Sequence, residues 1–357
     1  MKRSLLVCLS MILSSALLIM LFASSSAIAA EPSSAKQITL KFGTWQAGGM
    51  KNPLFRAQSR YLDELEKRTN GLVKFERYDG GSLAPGPALL EAVQTGIADV
   101  AGICPPYYRA ELPLHQVTVL PGFSLYAYPK AMAFYRVYER VPELMKELTK
   151  HNVKLISIQA LKSSGVATKE PVRVLADLKG KKLRVLGYQA ELLAELGGTP
   201  VSMATGEIYE AISKGTIDGH IHNAPAIIAF GTFELCKYFT TFNFGDPVFL
   251  IGINQNVYNR LPASVKKVIA DLMEDGIKLS VEEGARSEKA CEQKMKEVGM
   301  EFIKPSSADE ATVAAATEKI MAKWIKGMEA KGLPAQKVVT EYERLIADYK
   351  PLPLWFQ

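Results

Sequence analysis

Apolar positions along the chain alternate in short runs, then recur at helical spacing, and the whole pattern occurs twice. In the first copy, Ile38-Thr-Leu40-Lys-Phe42 alternates as a strand does, a helix is expected from Pro53 to Thr69 ending at Asn70-Gly71, and a strand follows at Val73–Tyr78. In the second copy, the strand Leu183-Arg184-Val185 precedes a helix at Gln189–Leu196, ending at Gly197-Gly198, and a strand at Pro200–Met203. Each copy then continues into the same motif. Leu89-Leu-Glu91-Ala92-Val93-Gln-Thr-Gly96-Ile-Ala-Asp99 matches Ile208-Tyr-Glu210-Ala211-Ile212-Ser-Lys-Gly215-Thr-Ile-Asp218 at a constant offset of 119 residues. Gly96 and Gly215 stand where a helix C-cap needs a positive φ. A strand comes next in each copy, Ala98–Ile103 and Ile217–Ile221, followed by Pro106 and Pro225. The pattern β-α-β-α-β, written twice, predicts two similar α/β lobes, each a mostly parallel sheet flanked by helices. After Pro262 the pattern turns helical, with amphipathic stretches at Ser264–Val298, Ala308–Lys331 and Glu341–Tyr349 expected to pack on the lobes as solvated helices.

The first thirty residues do not belong to that pattern. Lys2 and Arg3 precede an apolar run from Leu5 to Phe22, and small residues follow up to Ala27-Ile-Ala29-Ala30. This reads as a secretory signal, residues 1–29, cleaved after Ala27-x-Ala29. A retained anchor is the competing reading, but the serines in the run and the peptidase-compatible end favour removal and a soluble, exported product. Of the net charge of +6, Lys2 and Arg3 would be lost with the signal, and no basic run remains to suggest a nucleic-acid partner. Cys104, Cys236 and Cys291 then remain. In an oxidising compartment Cys236 and Cys291 could bridge; three buried free thiols fit equally well.

Two α/β lobes bring the carboxyl ends of their strands around a shared cleft, the usual place for a ligand. Trp45 follows the first strand of one lobe, and Arg184 lies in the equivalent strand of the other. Cys104 and Asn223 end the third strands, with Tyr107 and Tyr108 beyond one and His222 beside the other. Tyr188 follows the Arg184 strand. Arginine in an apolar β segment is the sharpest feature, because a buried guanidinium requires a partner. That partner is either an internal Asp or Glu or the carboxylate of a ligand.

Several stretches resemble the periplasmic substrate-binding proteins of TRAP (tripartite ATP-independent periplasmic) transporters, of the dicarboxylate-binding type. They are Gly71-Leu-Val-Lys with Gly80-Gly-Ser-Leu83, Ala92-Val-Gln-Thr-Gly96-Ile-Ala-Asp99, Leu178-Lys-Gly-Lys-Lys-Leu-Arg184-Val, Glu207-Ile-Tyr209 with Gly215-Thr-Ile-Asp218-Gly, Glu234-Leu-Cys-Lys237-Tyr238, and Asn254 through Leu261-Pro262. The resemblance implies a periplasmic-binding-protein type II-like fold: residues 30–160 and 246–285 as lobe I, 161–245 and 286–357 as lobe II, joined by crossing strands and a long helix. It implies capture of an organic acid and its delivery to a TRAP permease. Leu-Arg184-Val matches the family's carboxylate-binding arginine. Other positions depart from the sialic-acid-binding members. Trp45 replaces an asparagine and Cys104 an acid, the second arginine falls near Ser164-Gly165, the pocket phenylalanine falls at Thr205, and the lobe-two asparagine matches His222 or Asn223. These departures point away from sialic acid and toward a monocarboxylate with an apolar or aromatic body.

Other chemistry finds less support. A secreted thiol–imidazole hydrolase would need Cys104 and His222 as a pair, yet no Gly-x-Ser-x-Gly elbow is present, and a pocket-lining thiol beside a ligand donor is the simpler reading. No phosphate loop or dinucleotide fingerprint suggests a cofactor. His220 and His222 share a strand face as a metal pair would, but no third ligand is evident. A solute sensor presenting ligand to a receptor would share the fold. The expectation is therefore a non-enzymatic binding protein with no cofactor and no metal.

Overall fold

The computed structural model describes residues 36–47, 52–123, 126–162 and 164–352, and the expected signal segment lies outside them. Two sheets organise the chain. The first holds β1 (Ile38–Gly43), β2 (Val73–Tyr78), β3 (Val100–Ile103), β4 (Val153–Ala160) and β10 (Val248–Asn254), in the order β2-β1-β3-β10-β4. The second holds β5 (Gly165–Thr168), β6 (Lys182–Arg184), β7 (Thr199–Val201), β8 (Gly219–His222), β9 (Tyr238–Thr240) and β11 (Glu301–Ile303), in the order β7-β6-β8-β5-β9-β11. In each sheet one strand runs against the rest, β10 in the first and β5 in the second, and it occupies the same place in the order. The chain crosses from the first sheet to the second between β4 and β5, and returns between β9 and β10.

The doubled sequence pattern becomes doubled structure down to its hydrogen bonds. Helices α1 (Pro53–Arg68) and α2 (Leu89–Thr95) serve the first sheet, after which come α3 (Ala127–Arg140) and α4 (Pro142–Lys150). Helices α5 (Gln189–Glu195) and α6 (Ile208–Ser213) hold the matching places in the second. Gly96 and Gly215 take φ of 83° and 73°, each stopping its helix as a residue with a Cβ would not readily do. The shared aspartates then act alike. Asp99 accepts from the Lys41 amide at 2.8 Å, and Asp218 accepts from the Lys182 amide at 2.7 Å. Each carboxylate thus pins the start of the third strand to the first, which explains why both copies carry it. Register is kept as well: Gly43 faces Ala101, and Arg184 faces His220 at the offset position.

Three short or long helices complete the frame: α7 (Ala224–Ala229), α8 (Gln255–Arg260) and the 35-residue α9 (Ala263–Glu297). Helix α9 packs against α1 and β4 on one side and α7 on the other, so it spans both sheets. Helix α10 (Ser307–Glu329) lies on α5, and α11 (Ala335–Asp348) lies on α3, where the Tyr342 hydroxyl donates to the Lys130 carbonyl. Cys104, Cys236 and Cys291 are buried free thiols; Cys236 and Cys291 share one apolar core without bridging. No helix among the described residues is long and apolar enough to cross a membrane.

Candidate functional site

The carboxyl ends of β1, β3, β6 and β8 converge on a cavity between the lobes. Seven of the nine residues expected there line it: Trp45, Cys104, Tyr107, Arg184, Thr205, His222 and Asn223. Their placement follows from the strand ends. Cys104 follows β3 directly, Arg184 and His222 are the last residues of β6 and β8, and Asn223 caps α7 by accepting from the Ala226 amide at 3.1 Å. Trp45 reaches the cavity because Gly102 on the neighbouring strand has no side chain; a Cβ there would stand 2.9 Å from the indole.

Arg184 is 3% exposed, and its described side-chain partners include no acid. Nε and Nη2 donate to the Met203 carbonyl at 3.2 and 3.1 Å, Nη2 lies 3.5 Å from the Tyr107 hydroxyl, and Nη1 lies 3.0 Å from His222 Nε2. A guanidinium only donates, so His222 Nε2 must accept and the proton of this neutral ring sits on Nδ1. That proton points to His220 Nδ1 at 2.8 Å. His220 then carries its own proton on Nε2, 2.8 Å from Thr232 Oγ1, and the threonine hydroxyl donates to the Ile227 carbonyl at 3.2 Å. The chain from Arg184 to Ile227 therefore has one consistent direction. Burial, with Arg184 beside them, pushes His220 down to about 3 and His222 well below the usual imidazole range. Both rings stay neutral, and the cation that matters in the cleft is the guanidinium. The two histidines hold one another and Arg184; among the described residues no group of three metal-ligating side chains forms around them.

Tyr107 comes from the first lobe and meets the second, its hydroxyl 3.0 Å from Thr205 Oγ1. Trp45 and Phe249 stand with ring centroids 5.9 Å apart, and Leu54, Leu186 and Phe230 continue the apolar wall. Burial pushes the Cys104 thiol up, so it stays protonated, and His222 has both ring nitrogens engaged elsewhere. Tyr108 and Tyr188 are not in the lining. The Tyr108 hydroxyl bonds Gly86 and Leu90 inside its own lobe, and Tyr188 lies under the Arg109 guanidinium at 4.0 Å. Pattern reading missed Asp246 and Phe249 on the returning segment and β10, and named Ser164 on the outgoing one only as the place of the family's second arginine. These positions lie outside both copies of the repeat, so the repeat could not point to them. Gln189, the first residue of α5 within the second copy, was also missed; it donates to the Phe244 and Gly245 carbonyls at 3.0 and 2.9 Å.

A family model described as bacterial extracellular solute-binding protein, family 7, matches residues 46–327. A solute-binding protein of Albidiferax ferrireducens is 28% identical over 243 residues, 66% of this chain and 70% of that one. The chain spans 55%, 61% and 52% of the length of three further curated relatives. Among solved structures, a TRAP periplasmic solute-binding protein from Desulfovibrio salexigens, an open complex with the C-terminus of a symmetry mate in its ligand-binding site, is 29% identical. The match covers 90% of this chain and 100% of that one at a TM-score of 0.74. A TRAP solute-binding protein from Rhodoferax ferrireducens with copurified benzoate matches at 23% identity and a TM-score of 0.81, over 87% and 98% of the two chains, a likeness of fold. With its doubled lobes, its cleft arginine and a family match over most of its length, the chain belongs to family 7 of the bacterial extracellular solute-binding proteins, the TRAP-type substrate-binding proteins its motifs resemble.

Proposed function

We propose that this protein captures a small monocarboxylate with an apolar or aromatic body in the periplasm and hands it to a TRAP-type permease, without altering it. The observation that carries the reading is Arg184: a buried guanidinium at a cleft, oriented by a directed chain of neutral rings, with no acid among its described partners. Among the described residues that line the cavity, Arg184 alone carries a positive charge and Asp246 alone a carboxylate, so one ligand carboxylate has a cation to meet and a second has none. Two of the similar structures fit this chemistry: benzoate is an aromatic monocarboxylate, and a chain's C-terminus ends in a carboxylate.

A thermal-shift panel checks the reading. At a hundredfold excess over Kd, a ligand that binds only the native state adds about 2.7 kcal/mol. Aromatic and branched monocarboxylates should raise the melting temperature by several degrees, dicarboxylates less, and neutral sugars not at all. Ligand recovered after long incubation should be unchanged. A neutral sugar giving the largest shift, or product released over many turnovers, would overturn the proposal.

A further inference from the structure

One buried polar atom in the cleft wall forms no geometrically sound hydrogen bond among the described residues. Asp246 is 5% exposed and lines the same cavity as Arg184. Its Oδ1 accepts from the Ser164 hydroxyl at 2.7 Å, while Oδ2 makes no hydrogen bond of good geometry among the described residues, with the Asn223 side chain near enough to help hold the carboxyl's pKa down. Other buried side-chain atoms share that condition, in Gln58, Gln159 and Trp324 for example, but Asp246 is the one of the set that belongs to the cleft lining. An ionised oxygen shut away from water without a donor is costly, and in native proteins such atoms call for an explanation.

We propose, building on the carboxylate reading above, that Asp246 Oδ2 accepts a hydrogen bond from the ligand, so that the solute is a monocarboxylate which also carries a hydroxyl or a neutral N–H. The carboxylate lies on Arg184 in the second lobe, and the donor group is read by the segment that returns to the first. Cys104 lines the same cavity, and the Arg184 guanidinium and the Asp246 carboxylate act on its thiol in opposite directions. A charged ammonium on the ligand fits less well than a neutral donor. Lys130, 3% exposed, already sets its ammonium against the Asp246 and Leu161 carbonyls at 3.2 and 3.4 Å, where it compensates the Asp246 charge. Oδ2 is shut away from water before any ligand arrives, so a ligand lacking the donor leaves that oxygen without a hydrogen bond, which is how a site built for a hydroxyl rejects its deoxy analogue.

The test is calorimetric titration with matched pairs of acids that differ by one hydroxyl: benzoate against its three hydroxy isomers, phenylacetate against each mandelate enantiomer, and 3-methylbutanoate against 2-hydroxy-3-methylbutanoate. At least one hydroxylated member should bind about tenfold or more tightly than its partner, the range set by leaving a buried acceptor unsatisfied. Asp246→Asn keeps an oxygen for Ser164 and turns an amide N–H₂ toward the ligand. The preference should then fall below about threefold, with the deoxy acid bound as tightly as by the wild type or more so, because a buried negative charge has gone. A merely structural Asp246 would instead weaken both members equally. Equal affinity within every pair for the wild-type protein overturns the proposal even if the variant fails to fold. So does a preference that vanishes in sodium-free, chelated buffer, since a cation and not a ligand proton would then meet Oδ2. Tighter binding of the matching amino acid than of the hydroxy acid overturns the neutral-donor assignment. Failure of every carboxylate to bind would bring down the carboxylate reading itself.

Discussion

Arg184→Ala is expected to weaken binding of the best carboxylate from the screen by roughly 30-fold to several thousand-fold while leaving the ligand-free fold standing. Removing one member of a buried charge pair typically costs about 2–5 kcal/mol, because the other charge is left uncompensated, and about 1.4 kcal/mol is tenfold. Coulomb's law alone would suggest more, but desolvating both ions offsets much of it. The fold should survive because no acid among its described hydrogen-bond partners is left behind, and Glu207, the carboxylate that acts on it electrostatically, is exposed. What the variant leaves behind is neutral: the Met203 carbonyl, the Tyr107 hydroxyl and His222 Nε2. Burial already pushes the guanidinium down from its usual range, so its loss also relieves a desolvated charge. Arg184→Lys should rescue only in part, since a single ammonium cannot hold the Met203 carbonyl, His222 and both oxygens of a carboxylate. Titration of both variants beside melts of their ligand-free forms checks this. A collapsed melting temperature with unchanged affinity among the folded molecules would make Arg184 a structural residue.

Much of this architecture was legible in the sequence because the chain states it twice. Glu, Ala, Gly and Asp repeated at one offset require a physical cause, and the structure supplies it: a positive φ after each helix and a carboxylate on each first-strand amide. Strand ends found this way brought Trp45, Cys104, Tyr107, Arg184, His222 and Asn223 to one cavity; Thr205 came from the family resemblance. The failures have equally plain causes. Tyr108 and Tyr188 neighbour the right strand ends, but one residue's difference in position turns a ring inward, and no spacing rule says which of two adjacent tyrosines faces the cleft. Asp246 carries no pattern at all. It lies on a crossing segment where Gly245, at φ 73°, turns the chain, and its importance depends on Ser164, 82 residues earlier. The His220–His222 chain was half visible: strand spacing put the rings together, but only the Arg184 contact fixes which nitrogens carry protons.

Glu288→Gln is expected to make the ligand-free protein more stable at alkaline pH and to change little in acid. Glu288 lies on α9 beside the first crossing segment, where it is 9% exposed. Lys162 Nζ is 3.9 Å from its carboxylate, and Glu292 shares the same lysine at 3.3 Å. Burial first, with Glu292 and Asp246 opposing a second negative charge and Lys162 only partly compensating, raises Glu288 to about 8. The unfolded chain ionises near the ordinary glutamate value, so between there and about pH 8 the folded state holds a proton that the unfolded state has released. Stability therefore falls as pH rises through that window and levels off above it, by a total on the order of 5 kcal/mol. Asp246 contributes a slope of the same sign, but its folded value of about 6 confines it to lower pH. His220 and His222 act oppositely. They stay neutral in the fold and ionise in the unfolded chain, so their cost appears as pH falls below the usual imidazole range. Between pH 7 and about 8 the slope is thus mainly that of Glu288, and glutamine at this position, similar in size and uncharged, should remove it. Nearer pH 9 the buried thiols of Cys104, Cys236 and Cys291, all raised by burial, add a slope of the same sign to wild type and variant alike. Melting curves of wild type and variant at half-unit steps from pH 5 to 9 give the measurement. The two should converge near pH 5 and separate by several degrees at pH 9, and parallel curves across that range would mean that Glu288 keeps an ordinary carboxylate in the fold.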